Sequence, residues 1–345
     1  MSLVLTRLQN WRMENPEFDK NMTRPGQYGA LNFFVEQTKA GNSIIRPDVI
    51  ARAEASIGNT VQIPVIDYDS SVTVANTRTC TVADDENTSA LYTVTFVTYA
   101  AGFTMVPAAY MNNEISYEHD WRRKMEKIAR ALANALDTAA VTALDANKTL
   151  VLNEALNHTF ATGVLSVANT DWDNAIGDLN AMMGSNDYFG GIHVIGNYGT
   201  ESIINRLAQY STYNEANKTL TYQDKTLHFT GNIANGSGQR ATFYAVEDGN
   251  VALFTRYDRE TVRGTKSGDH EWSKVQIPFL GGVPVGCHYY TAVGDQSAIA
   301  GAATDDLTCA VKEYFGFSLD AAFVVAYNSD TATVANPILK VEVAA

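Results

Sequence analysis

Residues 113 to 147, NEISYEHDWRRKMEKIARALANALDTAAVTALDAN, contain the longest helical pattern of the chain. Apolar residues recur there at intervals of three or four, with one interval of six, at Ile115, Trp121, Met125, Ile128, Leu132, Leu136, Ala140 and Leu144. This spacing predicts a single amphipathic helix. At 1.5 Å per residue the helix would be about 50 Å long, which is more than a compact domain usually needs.

Basic residues crowd the first half of this predicted helix, although the chain as a whole is acidic. They are Arg122, Arg123, Lys124, Lys127 and Arg130. The 345 residues include 25 Lys and Arg against 38 Asp and Glu, and the net charge of −13 disfavours direct readout of nucleic acid or coating of an anionic membrane. The basic cluster indicates either a solvated helix face or a surface that receives an acidic neighbour.

Upstream of the helix the pattern changes to an alternation of period two. Runs rich in β-branched residues at Val61–Ile66, Val72–Val82 and Leu91–Tyr99 predict strands. The polar cluster 83–89 separates the last two runs and predicts a hairpin tip. The acidic residues of that tip are Asp84, Asp85 and Glu86. Each ten-residue strand would span about 34 Å, and because an isolated two-stranded hairpin is marginally stable, it needs an outside surface to lie on.

The other segments predict a mixed fold. Two short helical patterns precede residue 59, and we expect the aromatic residues of this region to find cover on the main body or on neighbouring chains; they are Trp11, Phe18, Phe33 and Phe34. From residue 171 onward short helices and strands alternate, with a last strand at Ile338–Val343. The sequence therefore predicts an α+β fold.

Motifs that carry chemistry are missing from the sequence. It contains no HExxH, Cys-x-x-Cys, Walker A or G-x-S-x-G pattern. The three cysteines, Cys80, Cys287 and Cys309, are an odd number at wide spacing, so they do not indicate a disulfide framework. No run reaches the length of a membrane span, and 46% hydrophobic residues allow a sizeable core. We expect no catalytic residue, cofactor or metal site.

Three local patterns have both a chemical and a structural interpretation. The turn from Gly196 to Thr200 imitates a phosphate loop but lacks the third glycine, and a strand-to-helix turn capped by Thr200 explains it better. His119 and Asp120 are adjacent on a helix, so their side chains point about 100° apart and do not form a dyad. His193 lies in an apolar strand, which favours a hydrogen-bonded core residue over a catalytic base.

The order of these elements resembles that of the major capsid proteins of tailed bacteriophages, a fold shared with encapsulin shells. No single motif is diagnostic, so the resemblance depends on element order over nearly the whole chain. It implies an N-terminal arm at 1–59, an extended β-hairpin loop at 60–103, a peripheral domain at 104–167 and 304–345 with a spine helix at 113–147, and an axial domain at 168–303. Residues 67–103 contain no lysine, which argues against the isopeptide cross-link that some members form from this loop.

The resemblance implies a structural protein that self-assembles as hexamers and pentamers into the icosahedral shell of a virion, after synthesis in the host cytoplasm. The shell would enclose double-stranded DNA without sequence-specific binding, and scaffold, portal and decoration proteins are further expected partners. We expect the acidic hairpin tip to contact the basic helix face of an adjacent subunit. Two alternatives stay open: an encapsulin-like cellular compartment, and a soluble enzyme or sugar-binding protein.

Overall fold

The computed structural model describes residues 28–39, 47–56, 58, 60–66, 89–110, 116–152, 154–161, 163–172, 174–186, 188–206, 211–214, 219–222, 225–294, 310–325 and 336–345. The helices in this part of the chain are α1 (Gly29–Lys39), α2 (Pro47–Ala55), α3 (Tyr117–Ala146), α4 (Leu179–Gly184), α5 (Tyr198–Arg206) and α6 (Arg259–Arg263). Short 3-10 helices lie at Pro107–Tyr110 and Asn169–Asp171.

The strands are β1 (Thr60–Ile66), β2 (Ser89–Thr95), β3 (Val97–Met105), β4 (Thr159–Ala161), β5 (Val164–Val167), β6 (Ile192–Gly196), β7 (Ser211–Asn214), β8 (Thr219–Tyr222), β9 (Lys225–Phe229), β10 (Gln239–Glu247), β11 (Val251–Arg256), β12 (Lys266–Ser267), β13 (His270–Gln276), β14 (Pro284–Val293), β15 (Val311–Val325) and β16 (Ile338–Ala344). Together with the helices they confirm the predicted α+β class. The last predicted strand, Ile338–Val343, corresponds to β16.

The strands form three sheets among the described residues. An eight-stranded sheet has the order β4-β5-β16-β10-β6-β9-β8-β7, and a six-stranded sheet has the order β11-β15-β14-β13-β12 with β3 added to β15. The third sheet consists of β1 and β2 alone. Most neighbouring strands are antiparallel, but β16 with β5 and β6 with β9 are parallel pairs.

Helix α3 begins and ends where local chemistry sets its bounds. Ser116 caps its start by accepting a hydrogen bond from the His119 amide at 3.2 Å, and the amide of Asn147 bonds the carbonyl oxygens of Ala143 and Leu144 at its end. The apolar stripe, from Trp121 to Leu144, is buried against one face of the six-stranded sheet. The helix therefore lies within the predicted interval 113–147. No helix of the described residues is both long and apolar enough to span a membrane.

Helix α1 fills the space where the two large sheets meet. Phe33 and Phe34 are fully buried, and α1 contacts β11 of the six-stranded sheet as well as β9 and β6 of the eight-stranded sheet. Phe33 and Phe34 are thus covered by residues of their own chain. Trp11 and Phe18, for which the same expectation was made, lie outside the described residues.

A buried carboxylate of α3 fixes the start of α1. Asp137 accepts hydrogen bonds from the amide of Leu31 at 2.9 Å, from Nδ2 of Asn232 at 2.8 Å and from the hydroxyl of Thr230. These donors come from α1 and from the turn after β9. Because a buried carboxylate is tolerated only when its oxygens are satisfied, the three segments are held together at this point.

The sheets do not follow the predicted division into an axial domain at 168–303 and a peripheral domain at 104–167 and 304–345. Strands β11 to β14 lie inside 168–303, yet they belong to the same sheet as β3 and β15, which lie outside that range. Conversely, β16 lies in 304–345 but pairs with β10 of the other sheet. Strand pairing thus joins segments from both sides of these boundaries, while the division into domains stays a prediction.

Candidate functional site

Strands β1 and β2 form the base of the predicted hairpin, and we call these two strands the hairpin base. They pair antiparallel over their full length, from Thr60 opposite Thr95 to Ile66 opposite Ser89. The run that begins at Leu91 thus pairs with the first predicted run, Val61–Ile66. The predicted strand Val72–Val82 lies outside the described residues, as do the tip residues Asp84, Asp85 and Glu86.

The hairpin base rests on the chain's own six-stranded sheet with one face only. Ile63, Val94 and Phe96, the residue just after β2, are buried in a small apolar cluster. Its members from the sheet are Ala252, Phe254, Ala322 and Val324. Residues on the opposite face of β2 are exposed, and Leu91 retains 64% of its surface. The described residues therefore leave the outward face of the hairpin base uncovered.

The basic residues predicted as a contact surface lie near the start of α3, but not all of them are available. Lys124 Nζ lies 3.0 Å from the Asp120 carboxylate, and it donates to the carbonyl oxygen of Thr104 at 3.1 Å. Arg130 pairs with Glu126 at 2.7 Å. Lys124 and Arg130 are thus already paired within their own chain. They are therefore less suited to bind the acidic hairpin tip of an adjacent copy.

Two of the predicted residues face solvent more openly. The Arg123 side chain is 79% exposed, with Nε 3.8 Å from Asp120, and Lys127 is exposed one turn further along. Within the described residues no carboxylate lies within ion-pair distance of Lys127. Arg122, the fifth residue, is half-buried. Because residues four apart share one helix face, Arg123 and Lys127 form the open part of the basic surface.

Asp120 does not pair with its neighbour His119. Burial raises the pKa of Asp120, but hydrogen bonds from Tyr110 and Lys124 outweigh burial, so the pKa lies below its ordinary value. The Tyr110 hydroxyl donates to this carboxylate at 2.5 Å, and burial together with that bond raises the pKa of Tyr110 to about 12. The carboxylate thus stays ionised beside Lys124. It bonds Tyr110 and Lys124 rather than His119, in agreement with the expectation that His119 and Asp120 do not form a dyad.

A row of aromatic rings and imidazoles lies on the outer face of the six-stranded sheet, which is the face away from α3. The Trp272 and His288 rings stack at 4.5 Å, as do those of Tyr290 and Tyr314, and His270 Nδ1 lies 2.9 Å from His288 Nε2. No sequence pattern indicates this row, because its members come from three strands, β13, β14 and β15. Their facing positions, such as Trp272 opposite His288, become visible only once the strand register is known.

A second histidine pair lies beneath α1. His193 Nδ1 is 3.3 Å from His228 Nε2, and His193 Nε2 is 3.1 Å from Gln37 Nε2 and 3.4 Å from Asp248 Oδ1. Burial lowers the pKa of His228 to about 3, and the neighbouring His193 adds to this. The expectation that His193 is a hydrogen-bonded core residue is confirmed, but its pairing with His228 was not foreseen.

The turn that imitates a phosphate loop is a structural cap. Asn197 Oδ1 accepts from the Thr200 amide at 3.1 Å and from the Thr242 amide at 3.4 Å. The capping residue is thus Asn197, and the prediction of Thr200 was wrong. Asn197 directly precedes α5, where its amide oxygen reaches both amides, whereas Thr200 is already the third residue of the helix. Among the described residues no group of three or more His, Cys, Asp or Glu could hold a metal ion.

Solved structures similar to this chain come from phage capsids and related particles. The capsid of Ralstonia phage GP4 shares 10% identity with a TM-score of 0.49, covering 93% of this chain and 92% of that one. A Mycobacterium phage Che8 structure shares 12% identity with a TM-score of 0.45, covering 88% and 89%. The capsid of a native GTA particle shares 14% identity with a TM-score of 0.44, covering 88% and 92%.

No known family model matches the chain, and no curated protein sequence matches it either. Identities of 10% to 14% and TM-scores below 0.5 leave the functional conclusion to the geometry of this chain.

Proposed function

We propose that this chain is the major capsid protein of a tailed bacteriophage, which assembles with copies of itself, as hexamers and pentamers, into an icosahedral shell. The observation that carries the proposal is the hairpin base, which is buried on its own sheet through Ile63 and Val94 but presents an uncovered outward face with Leu91. A hairpin with only one face buried on its own sheet can bury its other face on a neighbouring copy.

The basic face of α3 is the proposed receiving surface for the acidic tip, Asp84, Asp85 and Glu86, of an adjacent copy. Arg123 and Lys127 are the preferred partners because they are exposed, while Lys124 and Arg130 already have partners in their own chain. Each exposed ion pair contributes about 0 to 1 kcal/mol, so the contact gains strength only through repetition around the shell.

The charge of the chain supports enclosure of DNA rather than binding to it. A net charge of −13 repels phosphates on average, so a genome inside the shell would be confined and not held by sequence-specific contacts. Scaffold, portal and decoration proteins are further proposed partners, because the resemblance in element order to tailed-phage major capsid proteins implies them. We propose a structural role without catalysis.

Particle size tests the proposal directly. Purified recombinant chain should elute from a size-exclusion column as a species of megadaltons and show uniform closed particles in electron micrographs. A stable species near the 37.6 kDa of one chain, under all assembly conditions, would contradict a shell and favour the soluble enzyme or sugar-binding alternative. Particles that package a cellular enzyme instead of DNA would favour the encapsulin-like alternative.

A further inference from the structure

Arg256 lies on β11, at the point where the chain enters the hairpin base. Its side chain is buried, and Nε and Nη2 donate to Oδ2 of Asp320 on β15 at 3.2 Å and 3.0 Å. The third nitrogen, Nη1, donates to the carbonyl oxygen of Ser56 at 3.4 Å and to that of Gly58. Ser56 and Gly58 lie just before β1, so the guanidinium binds the backbone where the chain enters the hairpin base.

The same ion pair also holds the exit of the hairpin base. The guanidinium carbon of Arg256 lies 4.6 Å from the centre of the Phe96 ring, and Phe96 directly follows β2. Two residues later, the Thr98 hydroxyl donates to Oδ1 of Asp320 at 2.7 Å. One partly buried ion pair therefore touches both ends of the hairpin base and joins two strands of the sheet beneath it, β11 and β15.

Arginine is suited to this position for a geometric reason. Its planar guanidinium has five N–H donors in a fixed arrangement and a flat face, so it can bind a carboxylate, two carbonyl oxygens and a ring at once. Lysine offers one compact ammonium group and no flat face. An ion pair withdrawn from water is often no more stabilising than apolar residues of the same volume. The distinctive contribution of this partly buried pair is therefore its fixed geometry rather than net stability.

We infer that the Arg256–Asp320 pair is a positioning device that fixes the direction in which the hairpin leaves the body and thereby the surface it reaches on a neighbouring copy. The first part concerns the single chain, and the second part rests on the proposed function. Each seven-residue strand of the hairpin base spans about 24 Å, so a tilt of about 10° at its root moves its far end, Ile66 and Ser89, by about 4 Å. That displacement exceeds the tolerance of any ion pair or hydrogen bond at the tip.

Hydrogen exchange of the full-length unassembled chain tests the first part. In Arg256→Gln, exchange of the amides in β1 and β2 should rise about tenfold, while that of α3 stays at the wild-type rate. In Arg256→Lys, exchange in β1 and β2 should lie between the wild-type rate and that of Arg256→Gln. Lysine keeps a positive charge opposite Asp320 but lacks the several N–H donors of the guanidinium. The matched control is Arg259→Gln, an exposed arginine close by on α6, which should change neither region. Unaltered protection of β1 and β2 in Arg256→Gln would overturn the inference.

Milder variants keep the test valid if Arg256→Gln does not fold. Phe96→Leu removes the flat ring but retains apolar packing, and Thr98→Val removes the hydroxyl bond to Asp320. Each should raise exchange in the hairpin base about threefold, with α3 unchanged. Wild-type protection in both variants would contradict the assigned role.

Particle diameter in electron micrographs tests the second part. The wild type and Arg259→Gln should give one diameter, whereas Arg256→Gln should give a broader distribution and fewer closed particles. Uniform wild-type particles from a variant whose hairpin base has loosened would overturn the link to assembly. If the wild type forms no particles at all, the shell proposal itself fails, while the exchange experiment still decides whether Arg256 positions the hairpin.

Discussion

The two faces of the six-stranded sheet are covered in different ways. On one face α1 and α3 close a continuous core in which Trp121, Phe34 and Phe315 are almost completely buried. On the outer face the hairpin base covers only β11 and the adjoining end of β15, and the row of rings beside it is half-buried. The chain thus completes one face with its own residues. The other face retains surface that, in the proposed shell, neighbouring copies would cover.

The largest effect should come from the helix-covered face. Phe34→Ala removes a ring packed edge-on against Phe33 and Phe323 and should lower the free energy of unfolding by about 3–5 kcal/mol, because it leaves a cavity. Urea denaturation measures the change. The matched control on the uncovered side is Leu91→Ala, for which we expect less than about 0.5 kcal/mol. A similar decrease in the free energy of unfolding in both variants would show that the two faces do not differ in their contribution to stability.

Acidification should act on the helix-covered side through the histidine pair beneath α1. Below about pH 6.5 the unfolded chain protonates His228, whereas the folded chain does not until about pH 3, since burial and His193 lower its pKa. Stability is therefore lost as pH falls through this interval, by about 2 kcal/mol at pH 5 for this group.

Urea titrations between pH 7.5 and 5 measure this dependence. His228→Gln should flatten the curve. Val194→Ala, a buried non-titrating change on β6, should lower the whole curve and leave its slope intact. An unaltered slope in His228→Gln would show that His228 is not responsible.

A smaller and more local effect is expected in the hairpin base. Ile63→Val removes one methylene from the cluster on the outer face and should cost about 1 kcal/mol. Exchange of amides in β1 and β2 should report this loss, while amides in the middle of α3 keep their wild-type protection. Equal loss in both regions would mean that the hairpin base unfolds only together with the core.

The smallest effect on stability should come from the open basic surface of α3. Lys127→Glu alters an exposed side chain and should change the free energy of unfolding by less than about 0.5 kcal/mol. In the proposed shell it should still reduce the yield of particles, most at low ionic strength, because exposed charges are screened by salt.

Charge reversal at the hairpin tip provides the complementary test of that surface. Reversing Asp84 and Asp85 to lysine in the Lys127→Glu background should recover part of the lost particle yield. Arg263→Glu, an exposed reversal on α6, is the matched control and should leave the yield unchanged. Normal assembly of the Asp84 and Asp85 reversals alone would refute the proposed contact.

Local patterns were read correctly where they extended over several turns or along a whole strand. The three- and four-residue spacing from Trp121 to Leu144 located α3, and alternation located β1. Strands β11 and β13 were missed. β11 is buried on both faces, so it shows no alternation, and β13 carries polar and charged residues at most of its positions. The row of rings could not be foreseen for a related reason, since its members are brought together only by pairing between strands.

The amino-acid sequence by itself determined the helix α3, the alternating strands and the acidic character of this protein, because each depends on residues within a few positions of one another. Only the tertiary structure decided that β16 joins β10 and β5, that β3 joins β15, and that Arg256 meets both ends of the hairpin base. Those contacts join residues up to about two hundred positions apart. Their free energy depends on register and burial across the whole fold, which no local pattern encodes.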